Sequence, residues 1–128
     1  MKSGVLTISL WLALAFNLFA AAVLAFPESA PGQLAALPVD VPVLYRVLAA
    51  WLVALFGLAY GWLALQSQLD RSLLAFGAIG KGSVFVLALG MWLSAAVPSQ
   101  TVVLAAGDLA FAAFWFWFLL QSRQDGAA

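Results

Sequence analysis

The chain has no cysteine and no histidine. Without cysteine there is no disulfide, no thiolate nucleophile and no iron–sulfur ligation. Without histidine the usual haem ligand, the commonest zinc ligand and the commonest general base are all missing. Charge is scarce too. Five Lys and Arg balance five Asp and Glu, so that 8% of residues are charged and the net charge is zero. Soluble domains carry about 25% charged and about 45–50% apolar residues, whereas apolar residues make up 66% of this chain. So few charges cannot cover a water-facing surface, and lipid must be the solvent for much of the molecule. A net charge of zero leaves no basic footprint, so no nucleic-acid partner is expected. No metal, no cofactor and no catalytic residue is expected, since no motif for one rises above background.

Long apolar runs are what the sequence has in quantity. Crossing a bilayer core of ~30 Å takes about 20 apolar residues. Four stretches qualify: about Val5 to Phe26, Val43 to Leu65, Leu73 to Val97, and Thr101 to Leu120. The expected fold is a single all-α membrane domain over residues 1–128, a four-transmembrane-helix bundle with up-down topology. The breaks are polar or proline-rich. Pro27, Pro31, Pro38 and Pro42 fall in the first, with Glu28, Ser29, Gly32 and Asp40. Proline cannot continue a helix and removes a donor, so 27–42 reads as a loop. Its Leu34 to Leu37 segment is expected to lie against the membrane surface as a short turn. Gln66 to Ser72 and Pro98 to Gln100 are short turns, and Gln121 to Ala128 reads as a frayed polar tail. Lys2 before the first run also suggests a secretory signal peptide. That run exceeds the usual apolar region of about 7–15 residues, so a retained membrane helix is the favoured reading.

Lys and Arg in the loops set orientation. Lys2, Arg71 and Arg123 fall at the N-terminus, the second loop and the C-terminal tail. Four spans put all three on one side, so both termini are expected to be cytoplasmic. Trp11, Trp62, Trp92 and Trp117 lie near span ends, where indoles favour the interface. Trp51 and Trp115 are less clearly placed.

Each span carries one costly polar residue: Asn17, Arg46, Lys81 and Asp108. A Lys, Arg or Asp at mid-span costs about 2.5–3.5 kcal/mol on insertion scales, so such residues face a bundle interior, pair, or snorkel. Here they lie on stripes of small residues at helical spacing. Ser9, Ala13, Asn17 and Ala21 form one stripe. Arg46 shares another with Ala50, Val53, Gly57 and Tyr60 or Gly61, and Thr101, Ala105, Asp108 and Ala112 form a third. Small residues let helices approach closely in lipid, which turns these faces inward. Large groups such as Phe114, Phe116, Trp117 and Phe118 are expected to face lipid. The run Gly77 to Ser83 surrounds Lys81 with three glycines. It reads first as a packing face and second as a local opening toward Lys81. Gly-Lys-Gly-Ser lacks the spacing and the strand of a phosphate loop. Gly57 and Gly61 form a G-x-x-x-G that packing within the bundle explains without a dimer. Depth estimates put Lys81 roughly 15 Å and Asp108 roughly 10 Å from opposite surfaces, within reach of one another. Arg46, roughly 5 Å below the surface, either snorkels outward or reaches down to Asp108. The candidate buried polar or ligand-binding cluster is Asn17, Arg46, Tyr60, Lys81 and Asp108.

These residues also carry a resemblance. Tyr45-Arg46 opening a helix, Gly57 to Tyr60 near its end, Gly80-Lys81 in the next and Gly107-Asp108 in the last resemble the small DoxX-like four-helix membrane proteins of bacteria, over about Val43 to Leu120. The resemblance implies a four-helix bundle in a bacterial inner membrane and, for some members, association with redox or quinone-linked membrane complexes. It transfers no catalytic residue, and the lack of cysteine argues against thiol redox chemistry. Three functions stay open. The leading one is a structural or accessory subunit of a membrane complex, with lipid and a membrane-protein partner or a second copy as contacts. A carrier or binder of a small or lipid-like molecule at the polar cluster comes next. An intramembrane isomerase with Asp108 moving a proton and Lys81 tuning it comes last.

Overall fold

The computed structural model describes residues 3–127, with side chains described through Ser122. Helices α1 (Gly4–Ala25), α2 (Ala30–Leu34), α3 (Val43–Leu65), α4 (Arg71–Leu93) and α5 (Ser99–Ala127) follow in order. Of these, α1, α3, α4 and the Ser99–Ser122 part of α5 are long and apolar enough to cross a membrane. The chain is a membrane protein built as a four-helix bundle, as its four apolar runs imply.

Local chemistry sets the helix ends, and it moves several of them from where hydropathy alone puts them. The Asp70 carboxylate accepts a hydrogen bond from the Leu73 amide at 3.0 Å, capping orphan donors and starting α4 at Arg71. The same helix stops at Leu93, short of Val97. Ala95 turns left-handed at φ 62°, with Ala95 N–H on Trp92 O at 2.9 Å and Ala96 N–H on Met91 O at 2.8 Å. That is a Schellman closure, which hydropathy does not register because alanine occupies the turning position. Ala36, at φ 57°, closes α2 in the same way. The first loop therefore contains a helix where a turn was expected, begun by Ser29, whose hydroxyl accepts from the Gly32 amide. A side chain at Gly32 would strike the Pro27 backbone. Leu34 stands exposed. The expected frayed tail is also corrected, since α5 runs on past Leu120. Arg71 holds it there, donating to Leu119 O at 2.7 Å and to the Ser122 hydroxyl. Of the cations that set the expected orientation, Lys2 and the Arg123 side chain lie outside the described residues.

The bundle is two close hairpins that meet loosely. Helix α1 packs chiefly on α3, and α4 on α5, while α3 with α4 and α1 with α5 touch sparsely. Small residues make the close pairs. A Cβ added at Gly57 would sit 3.0 Å from the Asn17 Cβ, and one at Gly61 3.3 Å from Leu14. The G-x-x-x-G thus seats α1 inside the bundle. On the other hairpin, Gly82 faces Ala112. Between hairpins the wider gap is filled by aromatic rings set over glycines: Tyr60 over Gly77, Phe56 over Gly80 and Phe16 over Gly107. The glycines around Lys81 are packing notches in a continuous helix.

Two glycines of α4 should therefore respond in opposite ways to alanine. A Cβ at Gly77 would lie 2.9 Å from the ring of buried Tyr60, whereas one at Gly90 meets nothing within 4 Å. Alanine gains up to about 1 kcal/mol in helix propensity at either position, and overpacking costs about 1–3 kcal/mol. Gly77→Ala should lower the melting temperature in detergent, and Gly90→Ala should leave it unchanged or raise it. Equal shifts would refute the notch.

The large fully buried side chains are Trp115, Tyr60, Leu6, Leu10, Leu63 and Leu74. They come from the start of α1, the end of α3, the start of α4 and the later part of α5, so neighbouring helices run antiparallel. They fill the half of the bundle nearest the chain ends, here the terminal half. The first loop marks the opposite half.

Candidate functional site

One hydrogen-bonded chain crosses the bundle at mid-height and touches all four long helices. It begins at the Val53 carbonyl of α3, which accepts from Asn17 Nδ2 of α1 at 3.0 Å. Asn17 Oδ1 accepts from Lys81 Nζ of α4 at 2.8 Å. Lys81 Nζ also donates to Asp108 Oδ1 of α5 at 2.7 Å. The amide of Asn17 is oriented at both ends, and Gly57 opposite its Cβ makes room for it. Lys81 reaches this position because it lies ten residues into α4, roughly 15 Å along the helix, near the bilayer centre.

Lys81 is 3% exposed. Three rings surround its ammonium, with Phe16, Tyr60 and Phe111 centroids at 5.0, 5.2 and 5.1 Å. Ring faces attract a cation, more so where water is excluded. The ammonium thus has two hydrogen-bond acceptors and an aromatic cage, which offset the cost of a cation at this depth. Phe16 fits into the cage because Gly107 leaves room beneath its ring. Asp108 is less enclosed. Its side chain is 16% exposed, and Oδ2 has no hydrogen-bond partner among the described residues.

The structure brings together Asn17, Lys81, Asp108 and the Tyr60 ring, but not Arg46. Of the two courses left open for Arg46, it does not take the one down to Asp108, and its place in the expected cluster is corrected: it pairs with Glu28 at 3.8 Å, and its Nε is buried without a hydrogen-bond partner. Three residues into α3, it meets a carboxylate that the chain supplies just past the end of α1. Glu28 is mostly exposed, so this pair adds at most about 1 kcal/mol. Among the described residues no three His, Cys, Asp or Glu side chains converge as a metal site.

Phe16, Phe111 and the Val53 carbonyl complete the site and escaped the sequence reading. The two rings had a signal, since Phe16 adjoins Asn17 and Phe111 lies one turn past Asp108. A backbone acceptor inside a helix has none. A second polar link joins α1 to α5, with Trp115 Nε1 donating to Ser9 Oγ at 3.0 Å and Ser9 donating to Leu6 O at 2.7 Å. Two grooves open on the outer surface of the terminal half, both mostly apolar. One, of about 300 Å³, lies between α1 and α5 and includes Ile8 and Phe114. The other, of about 480 Å³, lies between α1 and α3 and includes Trp11 and Trp62. No family model, curated protein or solved structure matches the chain.

Proposed function

We propose that the chain is a structural or accessory subunit of a membrane complex, of the kind that the DoxX-like resemblance implies. The polar chain from Val53 to Asp108 carries this reading. Each of the four long helices gives it one group, and Lys81, the costliest, is closed in by acceptors and rings. Such a network specifies how four helices meet, which is what a packing module needs. Turnover would require the lysine to be reached. The outer surface is broad and apolar, with Trp51, Trp62, Phe76 and Trp117 all exposed, and it offers lipid and a neighbouring helix the same chemistry.

The test is purification from native membranes in a mild detergent and again in polymer-bounded lipid discs. A protein that co-purifies in fixed stoichiometry under both conditions is the expected result. Recovery of the chain alone, or only with itself, in both media would overturn the reading.

A further inference from the structure

We draw no further inference here: the strongest candidate, the mostly apolar groove between α1 and α3 that Trp11, Gly61, Trp62 and Gln66 line in the terminal half of the bundle, carries nothing because nothing in the structure shows what covers it.

Discussion

Lys81→Met alone should destabilise the bundle by about 3–5 kcal/mol, the usual consequence of stranding one member of a buried ion pair. Asp108 would be left as a carboxylate at bilayer depth beside three aromatic rings, and Asn17 Oδ1 would lose its donor. Asp108→Leu should cost a similar amount, since a lysine that is 3% exposed cannot easily snorkel to water. Changing both to apolar residues should restore most of the loss, because no charge then remains to be compensated and Asn17 keeps its bond to Val53 O. Thermal unfolding in detergent of the parent, both single variants and the pair measures the coupling. Losses that simply add would show that the ion pair does not organise the bundle. The double variant also tests whether the pair is needed for assembly. It should retain any native partner, because the helices meet through glycines and rings that it leaves untouched.

Much of this site was legible because intramembrane polar residues are rare and expensive. One per span, each on a stripe of small residues, was enough to turn Asn17, Lys81 and Asp108 inward, and helix rise was enough to put Lys81 and Asp108 within reach. Arg46 satisfied the same face argument and still went elsewhere. Its partner Glu28 sits in a proline-rich loop whose path follows from the cap at Ser29 and the left-handed Ala36, and span hydropathy carries neither. The glycine run around Lys81 was ambiguous for a related reason. A notch and an opening look alike until the facing ring is known, and the rings of Tyr60 and Phe56 come from another helix. Helix ends drifted where a side chain set them, as Asp70 does for α4 and Arg71 for α5.

The aromatic run of α5 offers the sharpest contrast between composition and position. Residues 114–118 are five consecutive positions with near-identical apolar character, and they do not share one environment. Phe116 and Trp117 face outward, as expected, but Phe114 and Phe118 pack against the core and Trp115 is sealed within it. Helical rotation explains this, since Trp115 lies two turns from Asp108 and on the same inward face. Its ring packs against Tyr60 at 5.0 Å and Phe111 at 5.6 Å between centroids, and its indole N–H is bonded to Ser9. In lipid, helix association rests on such packing and hydrogen bonds, because lipid tails are as apolar as the core. Trp115→Ala should therefore open a cavity where both hairpins meet and cost about 3–5 kcal/mol. Trp117→Ala, at a side chain 53% exposed, should change stability by no more than about 0.5 kcal/mol. Trp115→Phe, which keeps an aromatic ring and removes the Ser9 bond, should fall between them. The measurement is thermal unfolding in one detergent for all three variants. Equal effects at 115 and 117 would place Trp115 on the lipid face with its neighbour and remove the keystone that joins the two hairpins.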